Sequence, residues 1–178
     1  MKSFYRVPKY IFNPIGDTGM IKGKVLLPSD FDGELASQLR GYGLGELTVN
    51  RNRDNVTDIE WWTQQKDQHD WVVAITQGDK DNCHWITECG IQAARYGVCI
   101  LDRISFLEPT RGREDFLTST SLTNIKILSP RPSFRADNRS SKDSVTSAWF
   151  VFHKAGAALT STQIDFAVGW QRPKDLKL

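Results

Sequence analysis

Three short, uninterrupted apolar runs constrain this chain more than any other feature: 25–27 (Val25, Leu26, Leu27), 71–75 (Trp71 through Ile75) and 98–101 (Val98 through Leu101). A strand wetted on one face alternates apolar and polar residues, whereas a strand buried on both faces is apolar throughout. Such strands need layers of structure above and below them, and the intervening sequence supplies the layers. After the first run, Leu35 and Leu39 share one face of a helix over 30–40, with Ser29 or Asp30 as cap and Gly41 as stop. Residues 46–50 then read as a second strand, which makes 24–50 a right-handed strand–helix–strand unit. After the second run, a helix over 81–96 carries Trp85, Ile86, Cys89 and Ala93 on one stripe, with Gly97 as its stop. A helix over 107–117 and strands over 124–128, 148–152 and 164–168 complete the pattern. The alternation predicts an α/β fold: a Rossmann-like, doubly wound, mostly parallel sheet with an antiparallel edge strand after the long loop.

The 178 residues fit one domain, 1–178, and the 39% hydrophobic and 25% charged content is ordinary for a globular protein. No run approaches the roughly 18 apolar residues of a membrane span. Met1 to Arg6 lacks the apolar stretch of a secretory signal. Cys83, Cys89 and Cys99, odd in number and close together, argue against a disulfide framework, so a cytoplasmic location is expected. Cys83, His84, Cys89 and His69 match no zinc spacing, and no metal is expected. Gly41, Gly43 and Gly45 follow a helix and precede a strand, the context of a turn rather than of a phosphate loop. Formal net charge is +2, so nothing global draws the chain to nucleic acid. Locally, Arg51 and Arg53 lie together. The long loop 129–147, with Arg131, Arg135 and Arg139, follows Arg111 and Arg113; this basic region reads either as solvated charge or as a phosphate-contacting surface.

In an open α/β sheet, ligands bind beyond the carboxyl ends of the strands, where strand order reverses. That rule selects the turns 28–33, 50–54 and 76–79. The first leads into a helix N-terminus, whose free N–H groups favour a carboxylate or phosphate. The second suits a ribose, and the third stands over a reacting group.

The stretch from Val25-Leu26-Leu27-Pro28 through Asp32-Gly33-Glu34 resembles the first motif of class I S-adenosylmethionine-dependent methyltransferases of the phage-type adenine-N6 DNA group, where a strand ends in Glu-Pro-x-x-Gly-x-Gly. Phe4 to Tyr10 resembles the Thr-Pro segment before that motif, and Asp70 to Asp79 occupies the place of Asp-x-x-x-x-Asn-Pro-Pro-Tyr. Arg103-Ile104-Ser105-Phe106-Leu107-Glu108, Pro130-Arg131-Pro132-Ser133-Phe134 and the segment 148–152 resemble later parts of the same family in the same order. The resemblance implies S-adenosylmethionine as cofactor, held by Pro28, Asp32, Gly33, Asn50 and Asp58. It places Thr76, Gln77, Gly78 and Asp79 over the acceptor, with Trp61-Trp62 beside an adenine ring or packed on the sheet. It also implies nucleic acid met by Arg111, Arg113, Arg131, Arg135 and Arg139.

Four parts of the family pattern are replaced. Leu27 stands for the strand-end acid, Phe31 for the first glycine, Asn50 for the ribose carboxylate, and Thr76-Gln77-Gly78-Asp79 for the amine-binding motif. Two functions are therefore expected. One is a divergent methyltransferase acting on DNA or another nucleic acid; the other is a catalytically inactive methyltransferase-fold module that binds or regulates nucleic acid or a partner protein. A homodimer or a partner subunit would supply the target-recognition region for which so short a chain has little room.

Overall fold

The computed structural model describes residues 6–76, 82–110, 112–134, 145–154 and 161–173. Seven strands form one sheet: β1 (Val25–Leu27), β2 (Leu47–Val49), β3 (His69–Ile75), β4 (Ala94–Arg103), β5 (Ser121–Ser129), β6 (Ser147–His153) and β7 (Gln163–Val168), in the order β2-β1-β3-β4-β6-β5-β7. The pairs β1–β2, β1–β3, β3–β4 and β5–β7 are parallel, and β6 runs antiparallel to both β4 and β5. The sheet is thus mostly parallel, as expected, and its antiparallel strand falls in the half beyond β4; β5 and β7 continue the sheet outside it. The helices are α1 (Asn13–Gly16), α2 (Glu34–Gly41), α3 (Ile59–Gln64), α4 (Asn82–Ala93) and α5 (Arg113–Ser119). None of them is long and apolar enough to cross a membrane.

Alternate residues of the central strands feed two separate cores, which explains their continuous apolar sequence. Val25, Leu27, Val73, Cys99, Leu101, Trp149 and Val151 meet α2 and the N-terminal segment on one face. Leu26, Val72, Ala74, Val98, Ile100, Phe150 and Phe152 meet α3, α4 and α5 on the other. The N-terminal segment belongs to the first core because Ile11, Phe12 and Ile15 are fully buried there and the Trp149 indole N–H donates to the Ile11 carbonyl at 2.8 Å. That bond satisfies the one polar atom that burying a tryptophan would otherwise strand.

Three helices differ from the sequence reading. The helix over 30–40 begins only at Glu34, and Gly41, read as its stop, is its last residue. The helix over 81–96 ends at Ala93, and Gly97 lies inside β4, paired with Trp71 and His153. Gly97 is required there by close approach: a Cβ would strike the Phe152 carbonyl oxygen and come within 3.0 Å of the Trp71 ring. An isolated glycine in an apolar context thus marked a tight strand crossing, not a helix stop. The helix expected over 107–117 resolves into a 3-10 turn, Ile104–Leu107, and α5, with Phe106 and Phe116 both buried against Phe152.

Gly97→Ala is expected to lower stability by about 3 kcal/mol or more, because the obstruction is sheet backbone and cannot rotate away. Urea denaturation followed by tryptophan fluorescence measures it, and a near-neutral result would contradict the β4–β6 register. A second expectation concerns pH. Burial holds the imidazoles of His69 and His153 below their ordinary value, with Lys24 and Arg95 opposing the charge on His69 and Asp70 favouring it. The unfolded chain therefore takes up protons near pH ~6.5 that the folded chain refuses, so stability falls as pH drops through that range. Urea midpoints at about pH 7.5 and about pH 5.5 should show the loss, and His69→Gln with His153→Gln should reduce it.

Candidate functional site

The strand order reverses between β1 and β3, so the crevice lies where the turns after β1, β2 and β3 meet. Three sets of side chains occupy it.

The first is Asp30. Its carboxylate is buried, with 6% exposure, and accepts from the backbone N–H of Leu35 at 3.0 Å and of Ala36 at 2.7 Å. These are first-turn donors of α2, the groups that would otherwise meet a ligand carboxylate or phosphate. Gly33, not Ser29 or Asp30, holds the N-cap position, but the Asp30 carboxylate reaches in from three residues upstream and occupies two of the first-turn N–H groups expected to be free. Beside it, the Ser29 hydroxyl donates to the Ile75 carbonyl at 3.3 Å and bridges the reversal point.

The second is Asn50, buried at the end of β2. Its amide nitrogen donates to the Pro28 carbonyl and to the Asn52 carbonyl, both at 2.9 Å. Its oxygen accepts from the Asn52 N–H and from the Asn55 amide, both at 3.1 Å. A carboxamide offers two donors and two acceptor sites, and all four are used inside the protein. Nothing remains for a ribose hydroxyl. Pro28 likewise takes part through its carbonyl, as the anchor for Asn50.

The third set covers Gly33, which sits at φ +74° immediately before α2. The Arg51 guanidinium donates to the Phe31 carbonyl at 2.6 Å, and its Nη2 lies 2.9 Å from where a Gly33 Cβ would be. Arg53 stacks its guanidinium over the Phe31 ring, 4.2 Å from the centroid. The space that glycine leaves open is filled by the chain's own arginine. Asp32 remains exposed, and Asp58 is spent as the cap of α3, accepting from the Glu60 N–H at 2.9 Å. Of the five residues expected to hold a cofactor, Pro28, Gly33 and Asn50 come together with Asp30 and Arg51; the side chains of Asp32 and Asp58 lie outside that network.

At the third turn, Thr76 is buried, with 2% exposure. Its N–H donates to the Leu101 carbonyl at 3.0 Å and its hydroxyl to the Asp102 carboxylate at 2.8 Å, so it faces inward, away from any acceptor. Gln77, Gly78 and Asp79 lie outside the described residues. Cys83 packs against the same knot, 3.3 Å from the Thr76 hydroxyl; burial first, and then Asp102, push its thiol far above the usual range, which removes it as a nucleophile. Asp102 was missed by the sequence reading, which ended its strand at Leu101; a carboxylate following directly on a buried run was the available signal. Trp62 and Trp85 both donate their indole N–H to the Val56 carbonyl at 2.9 Å. Trp62 is therefore core, and Trp85 packs half-buried against the same core.

The arginines expected on nucleic acid separate. Arg113 points inward, donating to the Ser105 and Phe106 carbonyls at 3.2 and 3.4 Å and lying 5.5 Å over the Phe106 ring. Its charge organises its own backbone. Arg131, just beyond the end of β5 at Ser129, is exposed and engaged with the rest of the chain. Arg111, Arg135 and Arg139 lie outside the described residues. Among the described residues no cluster of three metal-ligating side chains occurs.

No family model matches the chain, and no curated protein matches its sequence. Solved structures do match its fold. A protein of Listeria monocytogenes, provisionally assigned as a class I S-adenosylmethionine-dependent methyltransferase, superposes with a TM-score of 0.59 at 12% identity, over 90% of this chain and 66% of its own. The modification subunit of a provisionally assigned type I restriction enzyme from Vibrio vulnificus gives 0.54 at 10% identity, over 89% of this chain and 45% of its own. A chain of a type I restriction–modification system gives 0.50 at 11% identity, over 89% and 43%. This chain spans less than two thirds of the length of each. Its fold is that of the class I methyltransferases. The residues at its crevice do not fit S-adenosylmethionine held in that family's manner, since the helix N-terminus, the ribose position and the glycine gap are each filled from within.

Asp30→Ala should cost about 1–3 kcal/mol by stranding two buried N–H groups. Asn50→Asp, which restores the family's carboxylate, should be destabilising by a similar ~1–3 kcal/mol, because it replaces two donors with acceptors facing carbonyls. Thermal denaturation of both variants tests this, and a stabilised Asn50→Asp protein would overturn the network.

Proposed function

We propose that this chain is a catalytically inactive, methyltransferase-fold binding or regulatory module whose partner is nucleic acid. The observation that carries the reading is the saturation of Asn50, whose four hydrogen-bonding sites are all used inside the protein, supported by the Asp30 carboxylate, which occupies the Leu35 and Ala36 N–H groups of α2. Arg51 and Arg53, exposed beside the crevice at the end of β2, give the carboxyl edge of the sheet a basic rim suited to phosphates. Arg131 adds charge at the end of β5. The restriction–modification neighbours, one a modification subunit and one a chain of a multi-part system, support a role in an assembly rather than alone.

Methyl transfer with S-adenosylmethionine held in a different way is the second reading. Gly33 keeping its left-handed turn, and Asp32 standing exposed beside it, favour that reading.

Calorimetric titration with S-adenosylmethionine and S-adenosylhomocysteine separates the two. The module reading predicts no saturable heat at millimolar ligand, whereas micromolar binding would establish the enzyme reading in its place. Fluorescence anisotropy on duplex and single-stranded DNA tests the partner. Binding should weaken steeply with salt, and Arg51→Glu with Arg53→Glu should reduce it about tenfold or more. Salt-insensitive binding, or none at low salt, would remove nucleic acid and leave a protein partner.

A further inference from the structure

Strand β7 closes one edge of the sheet, paired through Asn124↔Gln163 to Ser129↔Val168 with β5; among the described residues no strand pairs with its other side. Its side chains alternate in an unusual sense. Ile164, Phe166 and Val168 share one face and are 59%, 67% and 80% exposed. Across the ladder they continue a row begun by Ile125 and Ile127, which belong to the core beneath α5. Among the described residues, the apolar core therefore runs out onto the open edge with no other element laid over it. Proteins ordinarily blunt such an edge with lysine, proline or a bulge, and β7 carries none of these along the stripe. An uncovered patch of a few hundred Å² beside free strand backbone is the usual mark of an interaction surface.

We propose that β7 is a homodimer interface in which a second copy of this chain adds its own β7, antiparallel, about a two-fold axis at Phe166. The sequence Ile164-Asp165-Phe166-Ala167-Val168 is self-complementary in that register. Phe166 meets Phe166 of the partner subunit on the axis, Ile164 faces Val168 of the partner subunit, and Asp165 faces Ala167 of the partner subunit. All the apolar side chains then meet on one face, as an isologous contact requires. The axis at Phe166 pairs all three apolar residues of the stripe, whereas an axis at Asp165 or Ala167 leaves one of them unpaired, and charge further disfavours Asp165. Shifting the axis to Asp165 would set two carboxylates directly opposite one another, a destabilising arrangement. In the proposed register Asp165 stays bound to Lys126 of its own chain, at 2.5 Å, so no uncompensated charge opposes association. Three side chains and one strand edge make a small interface, which places the affinity near the micromolar range rather than in that of an obligate dimer.

Sedimentation equilibrium of the full chain from about 1 to about 200 µM is expected to show reversible monomer–dimer exchange. Phe166→Glu is expected to raise the dissociation constant at least tenfold while leaving the thermal midpoint of the dilute monomer unchanged, since Phe166 contributes little to its own core. Phe166→Cys gives a positive reading. On the axis the two Cα atoms would be about 4.5–5.5 Å apart, within the roughly 4.4–6.8 Å a disulfide spans. The three native cysteines are all buried, so mild oxidation should cross-link this variant and not the exposed control Glu60→Cys. A chain that remains monomeric across the range would overturn the proposal, leaving the stripe to a different partner. So would a dimer indifferent to Phe166→Glu, or a Phe166→Cys protein that does not cross-link.

Discussion

A single carboxamide ties the two loops that define this protein's crevice. Asn50 reaches from the end of β2 to the Pro28 carbonyl at the end of β1, and organises Asn52 and Asn55 on its own side. With Ser29 bridging to the Ile75 carbonyl, the carboxyl ends of β1, β2 and β3 are stitched together by side-chain bonds across the point where the sheet reverses. In a fold whose function usually depends on an open crevice there, those bonds hold it together from within.

The same logic runs through the charged groups around it. Asp30 neutralises the N-terminus of α2, Arg51 lies over Gly33, and Arg53 covers Phe31. Each replaces something a ligand would supply: an anion at the helix end, a group close to the glycine, an apolar wall. These contacts are mutually consistent. Asparagine in place of a carboxylate can donate to Pro28 as well as accept, which an acid could not do. Phenylalanine in place of glycine gives Arg53 a ring to stack on. Together Asp30, Asn50, Arg51 and Arg53 satisfy one another and the surrounding backbone from within the chain.

Much of the fold was legible in the sequence because burial on both faces leaves an unambiguous imprint: the runs at Leu26, Val73 and Ile100 fall in β1, β3 and β4 as expected. Gly97 misled because glycine punctuates helices and also permits close strand crossings, and only the tertiary partner, Phe152, distinguishes the two. The candidate site was legible in place but not in role. Sequence spacing brings Pro28, Gly33 and Asn50 to one crevice; it does not reveal that Asn50's hydrogen bonds are all internal, since three of its four partners are backbone groups with no sequence signature. Arg113 was read as a surface cation for the same reason: its partners, the Ser105 and Phe106 carbonyls, are invisible in a list of side chains.

The central claim is that the crevice is satisfied from within, and nitrogen-15 NMR of the Asn50 side-chain amide and the Leu35 and Ala36 backbone amides tests it directly. The account predicts slow hydrogen exchange at all three positions and no change in their resonances on addition of millimolar S-adenosylmethionine. Fast exchange in the free protein, or saturable shifts at these positions with the ligand, would show that the groups are open to it and would contradict the account.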